Sequence, residues 1–249
     1  MLAGWIAGGL QPGRVAVIEP HPADQILALA EKGIRLNPPP GRTGAVTLVI
    51  AVKPQSFREA GAALKPLIGA GTLVVSIMAG MPIAAISQVC GGAVVRAMPN
   101  TAAAIGRGIT VAVPAPDVSA AQRATADALL RATGVVEWID DETLMDAVTA
   151  VSGSGPAYVF LLAEELARAG IEAGLPAELA TRLARETVAG SGELLHRSEL
   201  GPATLRHNVT SPGGTTAAAL DVLLGPDGLQ PLLTRAVAAA TRRSRELAG

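Results

Sequence analysis

The segment Ser211-Pro212-Gly213-Gly214-Thr215-Thr216 runs straight into helix formers over residues 217–224, placing two glycines and two threonines at a helix start. Glycine admits close approach of a ligand to the backbone, the first-turn N–H groups have no intrahelical partners, and the macrodipole adds partial positive charge. The chemistry predicted is anion binding. The structural alternative is that Ser211 or Thr215 is simply an N-cap. A second Gly/Ser turn, Ser152-Gly153-Ser154-Gly155-Pro156, adds weight to the first reading.

Other chemistry-bearing residues cluster at the ends of expected strands. Lys53, in Val52-Lys53-Pro54-Gln55, closes an expected strand at 47–52, and open α/β sheets bind ligands at the carboxyl ends of their strands. An ordinary strand-to-helix turn with Pro54 at the helix start is the alternative. The strand at 72–77 ends in Met78-Ala79-Gly80, small enough for a flat ligand to lie on the backbone. Glu19 closes the strand at 14–18, where an acid accepts hydrogen bonds from an adenosine ribose 2′-OH or is merely a solvated loop residue. Arg96-Ala97-Met98-Pro99-Asn100-Thr101 ends another strand, and Glu142, Glu199 and Asn208 fall near element ends. Considered singly, each of these reads as surface solvation.

The elements that must position them follow from the hydrophobic pattern. Short β-branched runs at 14–18, 47–52, 72–77, 93–96, 108–113 and 135–139 alternate with helical periodicity at 2–10, 22–32, 55–67, 83–89 and 119–133. That alternation predicts a mostly parallel α/β sheet covered by helices. After Asp140-Asp141 strand-like runs give way to helices at 142–151, 156–173, 176–196 and 229–247, with Pro156 and Pro176 in first turns and Gly170 and Gly174 as terminators. A domain boundary is therefore expected at 141/142, between an α/β unit and an all-helical unit. The helical unit carries Ala, Leu and Val on several faces, which predicts packing against another subunit.

Composition narrows the function classes. The 249 residues are 49% apolar, with mean hydropathy +0.40, yet no run of about 18 apolar residues appears. Twenty basic and 21 acidic residues give a net charge of −1, and only two Phe, two Trp and one Tyr are present. Neither nucleic acid nor a membrane surface is the expected partner. Cys90 is the single cysteine, expected in packing, and His21, His196 and His207 have no metal-ligand spacing, so no metal site is expected. The opening Met1-Leu2-Ala3-Gly4-Trp5 lacks the character of a secretory signal, which makes the cytoplasm the expected location.

Taken together, Ala51-Val52-Lys53-Pro54-Gln55, Arg96 to Thr101, Asp146-Ala147-Val148-Thr149 leading to Ser152-Gly153-Ser154-Gly155-Pro156-Ala157-Tyr158, and Asn208-Val209-Thr210 leading through Ser211 to Thr216 resemble pyrroline-5-carboxylate reductase in order and spacing. The resemblance covers essentially the whole chain. It implies an N-terminal Rossmann domain (1–141) and a helical dimerisation and substrate-binding domain (142–249), with NADPH or NADH reducing 1-pyrroline-5-carboxylate to L-proline. By the same resemblance Ser211, Gly213, Gly214 and Thr215 hold the substrate carboxylate, and Thr216 hydrogen-bonds the ring nitrogen as the catalytic, orienting residue. Ala51, Val52, Lys53, Pro54, Ile77, Met78 and Ala79 line the cofactor crevice, with Asn208 and Glu142 contacting it and Glu19 at the adenosine ribose. Many family members have serine, asparagine or arginine near that position to hold a 2′-phosphate. Glu19 should repel it, which predicts good use of NADH.

The departure from the family is the absence of a first strand and of the G-x-G-x-x-G turn that cradles pyrophosphate. A start assigned at an internal methionine is the favoured explanation, and poor cofactor binding by this chain is the expectation. The competing reading is a non-catalytic oligomerising homologue that has lost cofactor binding. A third, a reductase of another cyclic imine or of a β-hydroxyacid, lacks the lysine base expected of β-hydroxyacid enzymes, since no lysine follows Asp140.

Overall fold

A computed structural model describes residues 1–39 and 45–248. They form two units, one of Met1–Gly153 joined by the C-terminal residues from Thr241 on, the other of Ser154–Ala240.

The first unit is built on a five-stranded sheet in the order β3-β4-β5-β6-β7: β3 Thr47–Ile50, β4 Leu73–Ser76, β5 Ala93–Met98, β6 Gly108–Pro114 and β7 Gly134–Trp138. The runs Leu73-Val74-Val75-Ser76 and Ala93-Val94-Val95-Arg96-Ala97 are buried throughout, as continuous apolar strands are when helices cover both faces. On one face Val74 and Val94 pack with Phe57 of α3 (Pro54–Leu64) and with Ile86 and Cys90 of α4 (Ile83–Cys90). Leu73, Val75 and Val95 face the other way, onto Ala126 and Leu130 of α5 (Ala120–Arg131). Each fully buried Phe, Ile or Leu contributes about 1.5–3 kcal/mol, so these two layers hold the strand ends in place. Burial also raises the Cys90 thiol pKa above its ordinary value, in keeping with its expected packing role.

Three of the four strand pairings are parallel, β3, β4 and β5 running one way and β6 and β7 the other, and the one antiparallel pairing has a local cause. After β5 a 3-10 turn, Thr101–Ile105, ends in Gly106 at φ +70°, and the chain returns so that β6 pairs antiparallel with β5. Helix α5 starts with a reciprocal capping box between Ser119 and Gln122. It is tied to β7 through Asp127, which accepts from Trp138 Nε1 at 2.8 Å and from Arg131 Nε at 2.7 Å.

The N-terminal region is shorter in regular structure than its sequence pattern. Helix α1 (Leu2–Ala7) docks by Trp5 Nε1 donating to Leu129 O at 2.7 Å. The expected strand at 14–18 shrinks to β1 (Ala16–Val17), because Pro12–Arg14 forms a 3-10 turn. After α2 (Asp24–Ala30) comes β2 (Arg35–Leu36), which the sequence pattern did not reveal and which pairs parallel with β1. Among the described residues β1-β2 and β3-β7 are separate ladders.

After β7, Asp141 caps a 3-10 turn, Glu142–Leu144, that continues into α6 (Met145–Val148) and a π-helical turn, Thr149–Gly153. The expected Gly/Ser turn at 152–156 is thus helical, with Ser154 in αR, and α7 (Gly155–Glu172) follows at once. A Cβ on Gly153 would press on Met98 Cε, the flexible end of that side chain.

In the second unit α7 packs on α8 (Ala177–Arg197). Gly170 lies within α7 instead of ending it, its bare Cα facing Ala180, and Gly174 at φ +98° makes the turn. Helices α9 (Pro202–Asn208), α10 (Thr215–Leu223) and α11 (Leu229–Ala248) complete the chain; α9, which the sequence pattern did not reveal, starts with Gly201 as N-cap and Pro202 in the first turn. Among the described residues of this unit only Ala180 and Ala184 are buried.

Candidate functional site

Strand pairing brings most of the first unit's site residues together. Ile50 is the register partner of Ser76, and Ser76 of Arg96. The segments beginning at Ala51 and Ile77 therefore leave the carboxyl ends of neighbouring parallel strands side by side, with Ile77 N donating to Ile50 O at 3.0 Å. Ala51, Val52 and Lys53 are exposed there, and Pro54 opens α3 with Lys53 as an N-cap residue that makes no side-chain cap. Met78 is buried while Ile77 and Ala79 are half-buried. The loop then turns at Gly80, φ +73°, a left-handed conformation that L side chains rarely adopt.

Glu19 sits just past β1, on the smaller ladder. Asn37, which follows β2 at φ +46°, clamps its backbone twice: Oδ1 accepts from Glu19 N at 2.8 Å and Nδ2 donates to Glu19 O at 2.9 Å. The Glu19 carboxylate accepts from His21 N at 3.0 Å. Asn37 escaped the sequence reading because it serves a residue eighteen positions away; its only local signal was Asn before proline.

The Arg96 motif divides into two jobs. Asn100 Oδ1 accepts from Ile109 N at 3.3 Å and so supports the return into β6. Arg96 is 5% exposed, and its Nη1 donates to Glu142 Oε1 at 2.8 Å. The same oxygen accepts from Ile83 N at 2.8 Å. Glu142 is presented by the turn that Asp141 caps: Oδ1 of Asp141 accepts from Thr143 Oγ1 at 2.7 Å and from Thr143 N at 2.9 Å, which holds its carboxyl pKa below the usual range. Among the described residues no group of His, Cys, Asp and Glu is arranged to hold a metal ion.

The second unit carries the remaining expected residues. Gly214 is the N-cap residue of α10 and, having no side chain, makes no cap; neither Ser211 nor Thr215 takes that role. Gly214 N donates to Ser211 O at 3.0 Å, closing a turn whose Gly213 has φ +69°. Ser211, Pro212, Gly213 and Thr215 are exposed, Gly214 and Thr216 half-buried. A nine-residue helix thus starts with first-turn N–H groups uncapped by any side chain, the arrangement that favours an anion. Asn208 is exposed at the last residue of α9.

Comparison with known proteins assigns the family. Residues 142–247 match the family model described as pyrroline-5-carboxylate reductase dimerisation. A pyrroline-5-carboxylate reductase of Pseudomonas aeruginosa is 45% identical over 206 residues, which are 82% of this chain and 75% of that one. One from Synechocystis is 42% identical over 95% of this chain and 88% of its own length. The solved pyrroline-5-carboxylate reductase of Coxiella burnetii matches with TM-score 0.88 and 33% identity over 100% of this chain and 93% of that chain. A Plasmodium falciparum pyrroline carboxylate reductase, solved with NADP bound, matches with TM-score 0.81 and 26% identity over 99% and 92%. The mixed sheet with flanking helices and the helical C-terminal unit are the architecture anticipated from the sequence, and the chain belongs to the pyrroline-5-carboxylate reductase family.

Proposed function

We propose that this chain reduces 1-pyrroline-5-carboxylate to L-proline with NAD(P)H. The observation that carries the reading is the uncapped start of α10 at residues 211–216, in a chain of this family. The substrate carboxylate accepts from N–H groups of that turn, with Ser211, Gly213, Gly214 and Thr215 around it. Thr216 donates its hydroxyl hydrogen bond to the ring nitrogen and fixes the orientation of the C=N bond. When bound, the dihydronicotinamide supplies a hydride to the imine carbon, while the nitrogen takes a proton. Exposed Ala51, Val52 and Lys53, half-buried Pro54, Ile77 and Ala79, and buried Met78 line the strand ends where the cofactor would lie. Asn208 and Glu142 are further residues proposed to contact the cofactor.

Glu19 sets the cofactor preference in this reading. Its carboxylate suits a ribose 2′-OH and repels a 2′-phosphate, so NADH is used with higher kcat/KM than NADPH. The helical unit from residue 142 on, where the family model begins, forms a homodimer or larger assembly. Support comes from its exposed apolar side chains, among them Phe160 at 68%, Leu161 at 53% and Leu195 at 46% exposure. Among the described residues no helix is long and apolar enough to cross a membrane. A single buried thiol, Cys90, is compatible with the reducing cytoplasm, the location proposed.

Oxidation of NADH and NADPH in the presence of 1-pyrroline-5-carboxylate tests the reading. Proline formation with NADH favoured is the expected result, and a strong NADPH preference overturns the role of Glu19. The separate β1-β2 ladder favours the second reading, an oligomerising homologue without cofactor binding. A folded oligomer that oxidises neither nucleotide would select it.

A further inference from the structure

Residues 77–82 connect β4 to α4, and three observations show how they are held. At their far end Ile83 is the first residue of α4, and the N-cap residue Pro82 offers its N–H no side-chain partner. Glu142 Oε1 takes that N–H from 59 positions away, at 2.8 Å. The same oxygen pairs with Arg96 at 2.8 Å; the Arg96 side chain is 6% exposed and the Glu142 side chain 31%. In the middle, Gly80 packs against the last turns of α11: a Cβ on it would lie 3.4 Å from Leu247 Cβ and 3.5 Å from Ser244 O. Those turns are in turn fixed by Ser244, 4% exposed, whose Oγ donates to Asp146 Oδ1 at 2.7 Å.

We propose that Glu142 is a positioning residue for the cofactor-lining loop: clasped by buried Arg96, its carboxylate caps α4 at Ile83 and fixes residues 77–82. The inference rests on the reading that Ile77, Met78 and Ala79 line the cofactor crevice, and it gives Glu142 its part in that crevice through the loop. The physics is specific to a carboxylate. Arg96 has lost its water and needs an opposite charge within hydrogen-bond reach. A helix N-terminus independently favours negative charge and an acceptor for its orphan N–H. One oxygen meets both demands, so the position of the loop's end is tied to β5, the strand beside β4. Arg96 alone could not do this, since a guanidinium has no acceptor for the Ile83 N–H.

The test compares the full-length chain with Glu142→Ala and Glu142→Gln, using Glu178→Gln, an exposed carboxylate paired with Arg182 within α8, as control. Two readouts are taken: amide hydrogen exchange over residues 77–86 without cofactor, and KM for NADH against KM for 1-pyrroline-5-carboxylate. Loss of a charge-assisted hydrogen bond to a buried guanidinium predicts, for Glu142→Ala, exchange in that segment and KM for NADH each rising about tenfold or more, with substrate KM within about twofold. Glu142→Gln, which keeps an oxygen for one of the two donors, rescues in part, to about threefold. If Glu142→Ala does not fold, Glu142→Gln carries the test alone. Unchanged exchange over 77–86, or parallel rises in both KM values, overturns the proposal. Absence of turnover by the unaltered chain overturns the functional reading instead, and exchange then decides whether the clasp holds the loop.

Discussion

Gly213 offers a quantitative probe of the substrate turn, because the structure separates its backbone role from its space. Its φ is +69°, and a Cβ built on it meets nothing within 4 Å. Gly213→Ala therefore introduces no clash; its cost is that of holding an L side chain in the left-handed region, about 1–2 kcal/mol. If that cost is met by the turn leaving its binding shape, substrate affinity falls by about five- to thirtyfold. Gly213→Asn should lose less, because asparagine tolerates this conformation better than alanine. Steady-state KM for 1-pyrroline-5-carboxylate and for NADH, with thermal unfolding as the check on fold, measures the effect. The expected order for substrate KM is Ala above Asn above Gly, with KM for NADH unmoved. A substrate KM for Gly213→Ala within about twofold of the unaltered chain would refute the reasoning, as would Asn and Ala behaving alike.

Three further outcomes are expected. Thr216→Val removes a hydroxyl at nearly constant shape and lowers kcat/KM by about ten- to hundredfold, whereas Thr216→Ser retains most activity, read in the same assay. Phe160→Asp places a charge on an exposed apolar face of α7 and shifts the species seen by sedimentation towards monomer; an unchanged assembly would remove α7 from the interface. Hydrogen bonds from Arg131 and then Trp138 hold the Asp127 carboxyl pKa below its ordinary value. The stabilisation is thus fully present above about pH 4 and lost as pH falls through the folded-state value. Asp127→Asn should lower Tm at pH 7 and converge with the unaltered chain near pH 2, and a constant Tm difference across that range would contradict the linkage.

The central strands were legible because their burial on both faces leaves a long β-branched signature: expected runs at 47–52, 72–77 and 93–96 became β3, β4 and β5 with shifts of at most two residues per end. Helix α5 was equally clear from the helical periodicity at 119–133, and the structure adds the Ser119–Gln122 capping box at its start. Strand β2 has two residues and so no period to detect. Helix α9 did carry a readable signal, Gly201-Pro202, which is an N-cap followed by a first-turn proline. Glycine misled in both directions. Gly170 looked like a terminator but is a packing contact with Ala180, and Gly153, in a segment that looked like a turn, closes a π-turn beside Met98. A glycine's sequence neighbours report its conformational freedom, whereas close packing depends on residues from distant segments.

The same distinction separates the legible from the illegible part of the site. In the proposed site the residues at 211–216 act through their own backbone, so a hexapeptide suffices to suggest an anion-binding helix start; in the structure Gly214 is the N-cap residue and makes no side-chain cap. Glu142 acts through partners 46 and 59 positions away, and Asp146 through Ser244, 98 positions away. No local pattern encodes such pairs; only β-sheet register, which sets Arg96 beside Ser76, and the return of α11 to the first unit create them. It follows that substitutions at Arg96, Glu142, Asp146 or Ser244 should act through the geometry of the cofactor loop, and substitutions at 211–216 through local contact with substrate. Kinetics that split cofactor KM from substrate KM are therefore the measurement that reads the two kinds of residue apart.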